Sequence, residues 1–196
     1  MTDHELRKKW NARYTAVGET PPALEVLLSN AHLLPAKGLA LDLASGLGGS
    51  ALYLARRGLR TWAWDLSQVA IDALKKRAGN APLEAEVRDV IADPPEAERF
   101  DVICVGHFLD RGLCPDIAAA LRPGGLLFYQ TFTKDSVDDS GPRRAAFRLA
   151  TNELLGLFPQ LIVRFYREEG RVGDISQGLR NRAQLVAQRP VRDGGQ

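Results

Sequence analysis

The sequence predicts an α/β protein: a Rossmann-like, doubly wound, seven-stranded and mostly parallel sheet that finishes in a C-terminal antiparallel hairpin. Three observations carry that prediction. Between residues 38 and 132, short apolar runs alternate with helical patterns, as in a parallel sheet covered on both faces. A glycine turn, Gly46-Leu47-Gly48-Gly49-Ser50-Ala51, directly follows the first apolar run and opens a helix. Near the C-terminus two β-like runs are joined by a glycine-rich connection, and a hairpin there adds antiparallel edge strands.

Each element has its own warrant. Residues 38–44 form the first strand, and the helix over 48–58 stops at Gly58. A strand over 59–65 leads into a helix that opens at Ser67, carries apolar Val69, Ala70, Ile71, Ala73 and Leu74, and ends near Gly79. Strands three and four fall at 83–87 and 100–106. A helix over 116–121 closes on Arg122-Pro123-Gly124-Gly125, read as a stop and a turn before a fifth strand at 125–132. Residues 134–144 are polar and read as a loop. Thr151 is placed to cap a short helix, and strands at 161–167 and 182–188 complete the sheet. Residues 1–37 read as a helical lid segment of the same domain, with Trp10 and Tyr14 on one helical face and Pro21-Pro22 opening a second helix. The domain proper spans 38–190, and 191–196 read as a disordered tail.

Composition narrows the function. The chain has 196 residues, a net charge of +2, 45% apolar and 26% charged residues, which suits one domain with a full core. No apolar run reaches the ~18 residues of a membrane helix. The first residues lack the apolar stretch of a secretory signal, so the expected location is cytoplasmic. Two cysteines, Cys104 and Cys114, make no disulfide framework, and both lie in apolar surroundings. No Cys/His spacing suggests a metal. A charge of +2 argues against a dedicated nucleic-acid binder. Arginine supplies 20 of the 26 basic residues, and the charge is unevenly spread: residues 84–116 hold nine acids and three bases, residues 143–192 ten arginines and four acids. Genome composition accounts for most of that excess; an anionic substrate is the functional alternative.

The glycine turn fits G-x-G-x-x-G/A, and Asp65 stands 19 residues after Gly46 at the end of the next strand. By letter this is a dinucleotide fingerprint, and an NAD(P)-linked oxidoreductase is one reading. Asp42, at the end of the first strand, opposes it, because a pyrophosphate on the helix N-terminus would be repelled by that carboxylate. S-adenosylmethionine carries no phosphate, and its ammonium and sulfonium would be attracted. Asp65 can accept from both ribose hydroxyls, and Asp89, closing the third strand, can hold an adenine amino group. Three acids thus end three strands along the sheet edge where open α/β folds bind ligands.

Leu41-Asp42-Leu43-Ala44-Ser45-Gly46-Leu47-Gly48 resembles motif I of class I S-adenosylmethionine-dependent methyltransferases. Asp65, the Arg88-Asp89-Val90 turn and Leu121-Arg122-Pro123-Gly124-Gly125 resemble the later motifs, over roughly residues 5–190. Ala44 departs from the family's first glycine, and its methyl group is small enough to count as a minor loss. Trp10-Asn11-Ala12-Arg13-Tyr14, His107-Phe108-Leu109-Asp110-Arg111 and Phe147-Arg148-Leu149-Ala150-Thr151-Asn152-Glu153-Leu154 are similar to the tellurite-resistance and thiopurine methyltransferase-like branch. The resemblance implies cofactor contacts at Arg13, Asp42, Ala44, Gly46, Gly48, Asp65, Leu66, Asp89 and Val90. It also implies a small-molecule acceptor such as a chalcogen oxyanion or a thiol, with no membrane partner.

Methyl transfer from a sulfonium asks mainly for positioning and exclusion of water. His107, just past the fourth strand, is a base, a substrate contact, or a packing residue beside the cofactor. Arg13 can reach the cofactor's carboxylate. Strand alternation would put Arg180 and Arg182 on one face, where they could jointly grip an anion; Arg143 and Arg144 sit near the cleft mouth. Arg111 reads as a loop charge, Tyr53 as core and Cys104 as a buried small hydrophobe. A cofactor-binding module without turnover stays open, because no obligatory catalytic residue exists to be missed.

Overall fold

A computed structural model of the chain describes residues 3–17 and 19–191; residues 192–196 of the expected tail lie outside the described part. Among the described residues no helix is long and apolar enough to cross a membrane. In chain order the elements are α1 (Asp3–Ala16), α2 (Glu25–Ser29), a 3-10 turn (Ala31–Leu33), β1 (Leu39–Leu43), α3 (Gly49–Arg56), β2 (Arg60–Asp65), α4 (Gln68–Ala78), β3 (Leu83–Val87) and β4 (Phe100–Gly106). Then come α5 (Cys114–Ala120), β5 (Leu121–Phe132), a second 3-10 turn (Ala145–Phe147), α6 (Glu153–Leu157), β6 (Ile162–Glu168) and β7 (Arg182–Gln188).

The seven strands run in the order β3-β2-β1-β4-β5-β7-β6. The first five are parallel, and β7 lies antiparallel between β5 and β6. This is the predicted fold class. Side chains alternate between two cores, as a period-two pleat requires. Leu41, Leu43, Ile103, Val105, Leu127 and Tyr129 pack with α5 and α6 on one face. Ala40, Val102, Cys104, Phe128 and Val186 pack with Val26, Leu27 and Leu54 on the other. Burying a side chain of this size contributes about 1.5–3 kcal/mol, so the two-sided core dominates the folding energy.

α4 begins where Ser67 Oγ accepts from Ala70 N at 3.3 Å and ends at Gly79, whose φ is +54°. α2 is anchored through the sheet: Gln130 Oε1 accepts from Val26 N at 3.2 Å and from Gln184 Nε2 at 2.9 Å. This shared acceptor satisfies a donor at the start of the short helix and one in the sheet, groups that burial would otherwise penalise.

Three local readings need correction. Residues 122–125 are no turn before β5; they form an irregularity inside it, with the register against β4 shifting between Phe100 and Val102. Gly125 is needed there because a β-carbon would lie 2.9 Å from the Arg122 carbonyl oxygen. Thr151 does not cap α6: that position belongs to Asn152, in the left-handed region at φ +61° and without a side-chain capping bond. Pro21-Pro22 opens no helix; residues 20–24 are irregular and α2 starts at Glu25.

Candidate active site

The carboxyl ends of β1, β2 and β4 converge on the glycine turn. Three backbone features shape it: Ala44 and Gly46 are left-handed at φ +54° and +53°, and Gly48 at +77° precedes α3. Ser45 N donates to Trp64 O at 2.9 Å and Gly48 N to Ser45 O at 2.9 Å. A left-handed alanine is disfavoured by about 1–2 kcal/mol. The departure at Ala44 is therefore more than a spare methyl: the turn holds a strained residue where a glycine would be at ease.

Asp65 is buried and ties this turn to the end of β2. Its Oδ2 accepts from Gly46 N and its Oδ1 from Ser67 N, both at 2.8 Å. Asp42 is also buried, and its Oδ2 accepts from Ala51 N in the first turn of α3 at 2.9 Å. Burial pushes the Asp42 carboxyl up to about 8, offset by the Ala51 hydrogen bond and reinforced by the Asp65 charge. Burial raises Asp65 as well, against the three backbone N–H groups it accepts from. Neither carboxyl forms an ion pair with a basic side chain among the described residues. Both acids thus serve the backbone first, a role that motif spacing does not reveal.

α1 closes over the turn. A β-carbon at Gly46 would sit 2.8 Å from the Tyr14 hydroxyl oxygen. Asn11 Oδ1 accepts from Ser67 Oγ at 2.6 Å, and Trp10 stacks on Tyr14 with ring centroids 5.8 Å apart. Desolvation, with the charges of Asp65 and then Asp42, raises the Tyr14 phenol well above its ordinary value, while Arg13 opposes the shift. Arg13 is exposed, with its guanidinium 5.4 Å from the Trp10 ring. Asn11 escaped the sequence reading because nothing local marks its partner 56 residues away.

Asp89 Oδ1 accepts from Ile91 N at 3.0 Å and Ala92 N at 3.3 Å, so one oxygen shapes its own turn. Val90 is buried and Leu66 half-buried beside these strand ends. Cys104 and Cys114 are buried free thiols.

A second cluster lies past β4 and β5. His107 is left-handed at φ +55°, an unfavourable conformation for a side chain of its size and a recurrent mark of functional sites. Its N–H donates to Gln130 O at 2.8 Å, and its ring lies 5.1 Å from that of Phe132. Burial, then the charges of Arg182 and Arg13, push the imidazole down to about 4, so it is neutral near pH 7. The Arg182 guanidinium stands 5.7 Å from the Phe132 ring, and its buried Nε has no hydrogen-bond partner among the described residues. Phe132 was not singled out in the sequence because it reads as one more apolar strand residue.

Arg180 does not join this cluster. Asn181 is left-handed at φ +63°, which breaks the alternation assumed for 180 and 182. Arg180 turns away to donate to the carbonyls of Gln177, Gly170 and Asp174 at 2.6, 2.8 and 2.6 Å. Its neighbours follow the same habit. Arg148 donates to the carbonyls of Pro142, Thr133 and Ser140. Arg111 donates to those of Ala146 and Arg148 while pairing with Glu153. Arg189 binds those of Ala119 and Leu121. Arg143 and Arg144 are exposed. Much of the arginine excess therefore pins loop backbone, a task suited to a planar fork with five donors.

Residues 40–125 match the methyltransferase domain family. No curated protein matches the sequence. The structure of TehB from Haemophilus influenzae superposes with a TM-score of 0.71 at 20% identity, covering 92% of this chain and 67% of that one. A protein solved in work on the conversion of a disulfide bond into a thioacetal group during echinomycin biosynthesis gives 0.70 at 22% identity, covering 96% and 94%. Geranyl diphosphate C-methyltransferase from Streptomyces coelicolor, crystallised with Mg2+, geranyl diphosphate and S-adenosyl-L-homocysteine, gives 0.65 at 16%, covering 84% and 79%. These likenesses establish the fold, and the family match covers residues 40–125, somewhat under half of the chain.

Proposed function

We propose that the chain is an S-adenosylmethionine-dependent methyltransferase that methylates a small anionic molecule held beside His107 and Arg182. One observation carries the cofactor: Asp42 and Asp65 are two buried carboxyls without a basic partner, under a turn that Tyr14 covers. An ammonium and a sulfonium compensate such a pair, whereas a pyrophosphate would add to the repulsion. The unpartnered buried Oγ of Ser45 supplies a further polar contact in the turn. The antiparallel β7 between β5 and β6 also departs from the strand order 3-2-1-4-5-6 of dinucleotide-binding sheets.

When bound, the cofactor supplies an electrophilic methyl group. The rest falls to this chain's residues. The glycine turn and Asp65 hold the nucleoside end, Asp42 and Arg13 the methionine end, and Asp89 and Val90 border the adenine. Arg182 stands apart from the carbonyl-binding arginines, since its Nε is dry and without a partner; that is an energetically poor arrangement unless an anion completes it. Neutral His107 takes a proton from an O–H, N–H or S–H acceptor. A thiolate or chalcogen oxyanion has none to give and, as an anionic nucleophile, needs no base.

The test is a pair of measurements on the full chain. S-adenosylhomocysteine should raise the thermal midpoint and NADH should leave it unchanged; the reverse would restore the dinucleotide reading. Cofactor consumption is then screened with tellurite, selenite, aromatic thiols and small amines. Turnover is expected with anionic or thiol acceptors. Firm binding of S-adenosylhomocysteine with amines as the sole substrates would sink the anionic acceptor, and no turnover with any would leave a cofactor-binding module.

A further inference from the structure

The ladder between β4 and β5 ends at the pair Gly106 and Gln130, and the next two residues, His107 and Phe108, are held from β5 at both ends. The His107 N–H donates to Gln130 O at 2.8 Å. The Phe108 carbonyl accepts from the Tyr129 hydroxyl at 2.9 Å. Between these two bonds the backbone of His107 is left-handed, at φ +55°, a conformation that a side chain of this size keeps only where its surroundings fix it. Consecutive residues of one strand supply both anchors, Gln130 through its backbone and Tyr129 through its side chain.

Tyr129 is fully buried in the core shared with α5 and α6, its ring 5.6 Å from that of Phe158. Its partners across the sheet, Val105 and Leu185, are apolar, and so is Leu127, which shares its strand and face. Packing alone therefore asks for a phenylalanine or a leucine. A hydroxyl in such surroundings costs desolvation unless it is hydrogen-bonded, and the Phe108 carbonyl is the partner that compensates it. Burial raises the phenol well above its ordinary value, so the group stays protonated and remains a donor.

We infer that Tyr129 is a positioning residue: its hydroxyl, by holding the Phe108 carbonyl, keeps His107 in the left-handed conformation that sets the imidazole against Phe132, beside Arg182. Tyr129 acts through the main chain of residues 107–108 and touches no reacting group. The following anchor cannot replace it. Asp110 Oδ1 accepts from Leu113 N at 3.0 Å and so ties the loop to the start of α5, not to β5. Without the hydroxyl the Phe108 carbonyl is free to turn, and His107 can relax to a negative φ that swings its ring away from Phe132. The consequence for turnover rests on the role proposed for His107; the positioning itself does not.

The experiment compares the full-length parent, Tyr129→Phe and Phe158→Leu by proton–carbon NMR of the histidine rings, without ligand. His107→Gln identifies the His107 signal, and Phe132→Leu gives its position without the Phe132 ring current. Tyr129→Phe keeps the ring and loses one oxygen, so the core stays filled. In it the His107 signal should move most of the way to its position in Phe132→Leu, and its titration midpoint should rise toward the ordinary 6.5. Phe158→Leu trims the same core and leaves the hydroxyl, so it should lower the thermal midpoint without moving the His107 signal. An unmoved signal in Tyr129→Phe would overturn the inference. Equal movement in Phe158→Leu would overturn it too, because core packing and not the hydroxyl would then place His107. S-adenosylhomocysteine affinity should be the same in Tyr129→Phe and the parent, since the bonds that hold Asp42, Asp65 and the glycine turn do not involve Tyr129. A loss of affinity alongside the His107 movement would mean a general disturbance of the crevice and overturn the specific role. Failure of the parent to bind S-adenosylhomocysteine would overturn the cofactor assignment, with the NMR comparison still deciding Tyr129.

Discussion

The Tyr14 hydroxyl oxygen lies 2.8 Å from the point where a β-carbon on Gly46 would be. Helix and glycine turn are thus in contact at a position that only glycine permits. If the cofactor lies under that contact, as proposed above, Tyr14 should slow its departure. Tyr14→Ala should speed S-adenosylhomocysteine dissociation by roughly tenfold, an amount comparable to one lost aromatic contact. Stopped-flow displacement measures it, and an unaltered rate would show that α1 does not gate the site.

Cofactor binding should release a proton near pH 7. The Asp42 carboxyl is raised to about 8 from an ordinary 3.8, so the unliganded protein holds that proton. A raised carboxyl stabilises the fold below its unfolded value, and the contribution is lost as pH rises through 8. An ammonium at the site favours the carboxylate, so affinity for S-adenosylhomocysteine should climb from pH 6 to pH 8. Calorimetry in buffers of different ionisation enthalpy would detect the proton, and Asp42→Asn should abolish its release.

His107 gives the opposite slope. Its imidazole is lowered to about 4 in the fold from an ordinary 6.5. The unfolded chain therefore takes up a proton that the folded chain refuses, and stability drains away as pH falls from 6.5 to 4, by an amount that solvent at this exposed position reduces. Because Asp42 partly offsets this, the check is a difference: denaturant unfolding of His107→Gln against the parent should show the His107 slope removed.

Arg180 and Arg182 should separate cleanly. Arg182→Gln should raise the Michaelis constant for the acceptor by roughly tenfold or more while leaving S-adenosylhomocysteine affinity alone. Arg180→Gln should do neither directly; it frees three carbonyls of the 170–177 loop and should appear as faster proteolysis there. Equal kinetic effects from both would restore a joint grip on the anion.

Ala44→Gly should stabilise the protein by about 0.5–1 kcal/mol, the relief of a left-handed alanine less the extra freedom of an unfolded glycine. Urea unfolding provides the comparison, and a destabilised variant would mean that the Ala44 methyl group makes a contact worth more than its strain.

Much of this fold could be read from the chain because its central strands β1, β4 and β5 are buried on both faces and therefore appear as continuous apolar runs. β7 at Arg182–Gln188 was legible as one arm of a hairpin, and Gly79 with Ser67 marked both ends of α4. The glycine turn and its two acids were legible from spacing. Their partners were not, because Ala51, Gly46 and Ser67 hold the carboxyls through backbone N–H groups, which no residue letter encodes. Arg180 misled for a related reason: the alternation argument needs extended backbone, and Asn181 is left-handed. The irregularity in β5 looked like a turn because Pro123-Gly124-Gly125 has turn composition, whereas its geometry comes from pairing with β4.

The arginine–carbonyl bonds distribute stiffness unequally around the crevice. Residues 134–148 and the 170–180 connection are fastened to one another and to the sheet by Arg148, Arg171 and Arg180, so this side of the crevice is preformed. α1 meets the body at the glycine turn and at the start of α4, where Asn11 Oδ1 accepts from Ser67 Oγ at 2.6 Å. Selectivity for an acceptor on the arginine-fastened side would then be set by fixed shape and little by induced fit.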